Sequence, residues 1–425
     1  ASARGGGRLV LPDGEPELTR ASVRLSYRAL FELPGFPRLI AGMQLARIAD
    51  AMAGVSLILF VLERFHSPAL AGATAFLAIF PGLLLAPLVG ALLDRHGRLR
   101  LVVFGYLLAA FTYTLIGVLS FFHALPVWAL LGVALAASPG RPFAETGLRS
   151  LFPLLVPRVL WERANAVDSN GYVVAAVIGP PAAGFIVGFL GGEAALVATG
   201  VLMVMGATVL LGTREPETEV ASTGNLLRDA WDGLLYVVRN PTLRGLAATM
   251  SLFNGGFGVI DIALPVLVLQ RLRLGPVEVG LMWAVLGLAG VVSVWLWGRY
   301  RSDGKEARMI AAGSIVSALG MALLPFAGNI WVVAAGMAIA GAANGPIDIG
   351  MFTLRQRRTD PAWMGRAFAI SMALNFSGLP LGSALGGPLV GSSLSVALWV
   401  AVALMLAGAT MPLFMVDVRS LSSRR

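Results

Sequence analysis

The chain's apolar residues gather into runs of roughly 20, each long enough to cross a ~30 Å hydrocarbon core as a helix. Twelve such runs are read from the sequence, at 37–62, 69–93, 101–122, 126–149, 164–190, 194–212, 243–269, 277–298, 309–327, 330–354, 365–390 and 394–416. In lipid each backbone polar group must be satisfied inside its own segment or in a closed barrel, so runs of this length predict an all-α polytopic membrane protein. Basic residues punctuate them with one parity. Six lie before the first run (Arg4 to Arg38), then Arg95, Arg98 and Arg100 after the second and Arg149, Arg158 and Arg163 after the fourth. The series continues with Arg214, Arg228, Arg239 and Arg244, with Arg299, Arg301, Lys305 and Arg308, with Arg355, Arg357, Arg358 and Arg366, and with Arg419, Arg424 and Arg425. These are 27 of 32 Lys and Arg, against three in loops of the other parity (Arg64, Arg271, Arg273) and two inside runs (Arg47, Arg141). The positive-inside rule therefore predicts a multi-pass protein of the cell's inner (plasma) membrane with both termini cytoplasmic.

Charged residues make up only 13% of the chain, hydrophobic ones 57%, and mean hydropathy is +0.80, which excludes an ordinary soluble domain with about a quarter charged residues. The net charge of +9 comes from bases at span ends and not from a stripe interleaved with stacking aromatics. Anionic lipid is the expected partner, and nucleic acid is not. There is no cysteine, and the three histidines, His66, His96 and His123, fall in loops. Neither a metal site nor a cofactor is expected, and no H-E-x-x-H, P-loop or thiol nucleophile points to an enzyme. The first 20 residues, with Gly5, Gly6, Gly7 and Pro12, lack the apolar core of a cleavable signal and read as a polar tail.

A polar stretch at 213–240 divides the spans six and six. The expected organisation is a cytoplasmic tail at 1–35, with a short interfacial helix over Tyr27 to Leu33, an N-terminal six-helix bundle at 36–212 and a cytoplasmic linker at 213–241. A C-terminal six-helix bundle at 242–417 and a tail at 418–425 follow. Internal spacing supports two repeated halves. Glu145 and Arg163 are 18 apart, as are Asp348 and Arg366, at an offset of 203; Glu63-Arg64-Phe65 matches Gln270-Arg271-Leu272 at 207.

The second span ends in Gly90-Ala91-Leu92-Leu93-Asp94-Arg95-His96-Gly97-Arg98. Gly90 permits close helix approach, Gly97 a tight turn, Asp94 can face a helix N-terminus, and Arg95 and Arg98 can reach carboxylates or lipid phosphate. This loop resembles the major facilitator pattern G-x-L-x-D-R-x-G-R. Further segments are similar to the macrolide-efflux and enterobactin-exporter branch of drug:proton antiporters: Ser150 to Pro157, Arg163-Ala164-Asn165-Ala166, Gly179-Pro180-Pro181-Ala182-Ala183-Gly184, and Gly365-Arg366-Ala367 with Leu379 to Gly387. The resemblance implies the major facilitator fold, 12 transmembrane helices in two six-helix halves, with spans one, four, seven and ten lining a central cavity. It also implies a role for Gly179 and Pro180 in the conformational cycle of an exporter. The second glycine of the usual pair in span five is missing (Ala183-Gly184 stands there), and the second-half counterpart of the loop, Gly298 to Gly304, departs from the pattern.

Ionisable residues inside a span cost roughly 2.5–3.5 kcal/mol each on insertion scales, which makes each a functional candidate. They are Arg47 and Asp50 in span one, Arg141 and Glu145 in span four, Asp261 in span seven and Asp348 in span ten, with Asp168 at the start of span five. Spacings of i,i+3 and i,i+4 set Arg47 with Asp50 and Arg141 with Glu145 on single helix faces. One reading is a cavity in which a carboxylate exchanges a proton for cargo while an arginine sets its proton affinity; the other is two neutralised structural pairs. Asp168 reads as a partner of nearby loop arginines. Gln44, Asn254, Asn344 and Asn375 are polar candidates for cargo contact or interhelical hydrogen bonds. The functional expectation is a monomeric, proton-coupled antiporter exporting amphipathic small molecules such as drugs or siderophore-like compounds. A uniporter, symporter or lipid transporter of the same fold, or a non-transporting receptor or scaffold, are the alternatives.

Overall fold

The structure, a computed structural model, describes residues 27–213, 215, 226–300, 302, 304–360 and 363–415. Most of the expected N-terminal tail, the middle of the linker and the C-terminal tail lie outside the described residues. The described chain is helical throughout, with no strand. A short α1 (Tyr27–Phe31) precedes α2 (Phe36–Phe65), α3 (Pro68–His96), α4 (Arg98–Phe121), α5 (Val127–Ala137), α6 (Gly140–Leu155), α7 (Trp161–Leu190) and α8 (Gly192–Leu210). After the linker helix α9 (Leu226–Arg239) come α10 (Pro241–Val266), α11 (Pro276–Trp297), α12 (Glu306–Met321), α13 (Ile330–Ala342), α14 (Asn344–Arg358), α15 (Met364–Ser392) and α16 (Leu394–Met415).

Local chemistry sets the starts. Ser67 caps α3 by accepting from Leu70 N at 3.2 Å with Pro68 following, and Asn240 caps α10 through Thr242 N and Leu243 N at 3.1 and 3.2 Å with Pro241 following. Asn329 does the same for α13. Side-chain oxygens satisfy amides that the first helical turn leaves unpaired, and proline lacks the amide that would be orphaned there.

Among the described residues nine helices or helix pairs are long and apolar enough to cross a membrane, and Leu394–Thr410 is a shorter apolar one. The predicted fourth and tenth spans are not continuous. The fourth is α5 and α6, interrupted at Ser138 and Pro139; the tenth is α13 and α14, interrupted at Ala343. Prolines cause both breaks, because Pro142 and Pro346 cannot donate to the carbonyls of Ser138 and Ala342. The second break is repaired by Ser293 of α11, whose hydroxyl donates to the Ala342 carbonyl and accepts from Gly345 N at 3.1 Å. At the first, the Ser138 carbonyl presses so closely on Gly82 of α3 that a Cβ there would collide with it.

α2, α4, α6, α7 and α8 pack among themselves, as do α10, α11, α12, α13, α14, α15 and α16; the halves join mainly through α7 on α11 and α3 on α15. Both seams are tightest at the end remote from the arginine-rich loops. Gly72 meets the carbonyl of Ser383, Gly387 meets Pro68, Gly184 meets Pro276 and Gly280, and Gly280 meets Pro180, all at backbone-to-backbone distances. One apolar core there draws on both halves, including Leu59, Leu62, Val187, Val266, Val279 and Val390. At the arginine-rich end the apolar clusters belong to single halves, around Phe36, Leu151 and Leu210 in one and Val237, Leu243 and Ala367 in the other. Among the described residues the halves form a wedge, joined at one end and sharing no apolar cluster at the basic end, where α9 of the linker touches both α3 and α15.

Candidate functional site

The cavity inside that wedge is lined where helices are broken. Arg141 and Glu145 lie in the opening turns of α6, and Asn344 and Asp348 occupy the same turns of α14. Half-helix N-termini carry exposed amides and the positive dipole end, the setting in which broken helices of transporters hold polar and charged groups near midplane. Arg141 spans two carboxylates: Nη2 lies 3.2 Å from Asp50 Oδ2 on α2, and Nε donates to Glu145 Oε1 at 3.0 Å. All three side chains are between a third and a half exposed to the open cavity. Exposed pairs of this kind contribute little stability, at most about 1 kcal/mol, so cohesion does not explain them.

The pairing expected within α2 does not form. Arg47 turns away from Asp50 to Asp168 on α7, donating through Nη2 to Oδ1 at 2.5 Å and through Nη1 to the Asp168 carbonyl at 2.9 Å, with its guanidinium 3.8 Å from the centre of the Tyr172 ring. The i,i+3 spacing brought Arg47 and Asp50 to one face, but the adjacent α7 offered a carboxylate, a carbonyl and an aromatic face together. Among the described residues Asp168 is accordingly the partner of a membrane arginine, where the sequence had pointed to loop arginines. Gln44 adds to the seam by donating to Gly171 O at 3.2 Å, and Gly179 packs on Ala51 of α2.

On the other wall, Asp261 of α10 is half-buried and Asp348 of α14 exposed to the cavity; neither has a basic partner among the described residues. Asn254 donates to the carbonyl of buried Asn375 at 2.9 Å, and Asn344 packs beside Gly290. Arg355, which the sequence assigns to a basic loop, is instead fully buried within α14. Its guanidinium donates to Ser371 Oγ at 3.1 Å and Met372 Sδ at 2.7 Å, reaches the Asn375 amide oxygen at 2.5 Å with that amide suitably turned, and lies 5.1 Å from the Phe368 ring. Charge counting at a span end could not find it, because α14 continues past the expected boundary at 354. Tyr172 and Ser293 were also missed, since neutral residues in apolar runs give no signal.

Of the loop after the second span, Gly90, Asp94 and Arg95 complete α3, and Gly97 takes φ 89° at the turn into α4. Only the backbone of Asp94 is described. The N-terminus of α4 is held by Glu215, which accepts from Arg98 N and Leu99 N at 3.0 and 2.9 Å. The carbonyl of Pro180 faces Gly280 across the seam.

This chain is similar to known membrane transporters over most of its length. The MFS-type transporter y4rN of Sinorhizobium fredii is 38% identical over 376 residues, 88% of this chain and 92% of that one. Macrolide efflux protein A of Streptococcus pyogenes is 24% identical over 354 residues, 80% of this chain and 86% of that one. Among solved structures, the nucleoside transporter NupG shares the fold with a TM-score of 0.71 at 13% identity, covering 90% of this chain and 99% of that one. The model of the Major Facilitator Superfamily matches residues 39–382, across both helical halves and the cavity acids between them, and the chain belongs to that family of transporters.

Proposed function

We propose that this transporter is a proton-coupled antiporter that exports amphipathic small molecules by alternating access. The carrying observation is the sharing of Arg141 between Asp50 and Glu145 at the head of a broken helix. One guanidinium cannot neutralise two carboxylates, so a proton or a cationic cargo group completes the balance, and each displaces the other. Asp261 and Asp348 on the facing wall add negative charge without a basic partner among the described residues, which favours cargo with a cationic head. The basic end, where the halves share no apolar cluster, fits a form that loads from the cytoplasm, if basic loops lie inside as the positive-inside rule directs. The similarity to macrolide efflux protein A supports the outward direction.

Asp94 supports the other half of the cycle. Gly72 against Ser383 and Pro68 against Gly387 set an antiparallel register of α3 on α15. At the basic end of the same two helices, Asp94 lies in the last turn of α3 and α15 begins at Met364, so closure there would carry an acidic position toward a positive helix terminus. Closure of this end would make the contact and stabilise the outward-open form. Transport into proteoliposomes of a panel of cationic, neutral and anionic amphiphiles under imposed pH gradients tests the assignment. Uptake driven by an opposing proton gradient is the expected result; transport indifferent to that gradient would leave a uniporter.

A further inference from the structure

At the closed end the halves leave a cleft of about 270 Å³. Its walls come in pairs: Leu59 with Val266, Leu62 with Leu269, and Glu63 with Gln270, each pair 207 residues apart. The same offset relates the span-end sequences of the two halves. Equivalent residues of two repeats face one another only beside the axis that relates the repeats, and the cavity between the halves lies on that axis too. The cleft is therefore where a route along the axis emerges, beyond the seal formed by α7 on α11, which contributes Val187 and Pro276 to its side.

The two halves line it differently. α2 stays a regular helix to Phe65, whereas α10 runs through Pro265 into a π-helix at Leu267–Arg271, a departure that recurs at functional sites. Arg271 is drawn off to the carbonyl of Pro325 at 2.8 Å, so its charge is engaged away from the cleft. Glu63 remains as the carboxylate of the lining, close to the backbone of Gly192 at the head of α8; the neighbouring Glu193, which accepts from Ser120 Oγ at 2.8 Å, is a second acidic side chain nearby. An apolar floor beneath the Glu63 carboxylate, with His66 and Gln270 completing the polar part of the lining and Glu193 close by, suits a cation with an apolar body.

We propose that this cleft is a second binding site, for a small organic cation bearing an apolar group, occupied by cargo on its way out. Glu63 takes the cationic head, and the leucines and Val266 take the apolar body. The inference rests on the cationic, outward-moving cargo of the preceding reading.

Because the chain has no cysteine, Gln270→Cys places a single thiol across the cleft from Glu63. Its modification rate by N-ethylmaleimide is measured in purified protein, with benzyltrimethylammonium as the probe. The expected result is slowing by about threefold or more, none with phenylmethanesulfonate, which carries the same ring and the opposite charge, and loss of the slowing when Glu63→Gln is added. Leu62→Trp, which fills the floor and keeps the acid, removes it as well, while Asp348→Asn in the central cavity leaves it intact. Protection absent from the Gln270→Cys protein, surviving either Glu63→Gln or Leu62→Trp, or lost with Asp348→Asn alone overturns the site. No transport enters the assay, so a chain whose introduced thiol is protected but which fails to move cations in proteoliposomes loses the efflux reading and keeps the cleft.

Discussion

Arg141 has two carboxylate neighbours and Arg47 has one, and that difference separates the proposed coupling residue from a structural one. The Asp168 and Arg47 side chains are only 16% and 13% exposed, and their bond is short and two-pronged. Removing one partner of a buried pair strands the other charge, at about 3–5 kcal/mol. Asp168→Asn should therefore lower the melting temperature of the purified protein clearly, while Arg47→Met combined with Asp168→Leu should recover most of the loss. A double variant as unstable as the single would show that the pair contributes more than mutual neutralisation. Asp50→Asn has a different expected outcome, because Arg141 keeps Glu145. The variant should fold, retain counterflow exchange of cargo, which needs no net proton movement, and lose accumulation driven by a pH gradient. Accumulation with the parent's pH dependence would move the coupling role to Glu145.

Broken spans and glycine seams are the elements on which the proposed alternating-access motion would depend. Interrupting spans four and ten places helix heads at the cavity, and Ser293 shows that one break is chemically completed in place of being merely tolerated. Along α3 and α15 the glycine contacts bring backbones together at one end and leave the other free to close. Asp94→Asn weakens the proposed contact with the head of α15 in the closed-basic-end form alone. It should cut transport severalfold while binding of cargo in detergent changes by no more than a few fold, since a ligand or contact shifts an equilibrium only by its difference between the two states. Parent transport rates in that variant would reduce the loop to a topological signal.

At the scale of the whole molecule, sidedness decides what the open end is for. A cysteine introduced at Thr223, in the linker, should resist membrane-impermeant maleimide added to intact cells and react after lysis; labelling from outside would invert the topology and with it the direction of loading. The run lengths and the polar stretch at 213–240 pointed to a helical chain of two halves because hydrocarbon thickness acts on each segment almost independently of its neighbours. The loop at Gly90 to Arg98 pointed to the family for a related reason: its letters are local. What the sequence could not determine was partnership. Arg47 chose Asp168 over Asp50, Arg355 turned from α14 onto α15 to meet Ser371, Met372 and Asn375, span four broke where Gly82 leaves room for the Ser138 carbonyl, and span ten where Ser293 donates to the Ala342 carbonyl. Each of these outcomes depends on which helix lies alongside, a long-range fact that only the packed tertiary structure supplies.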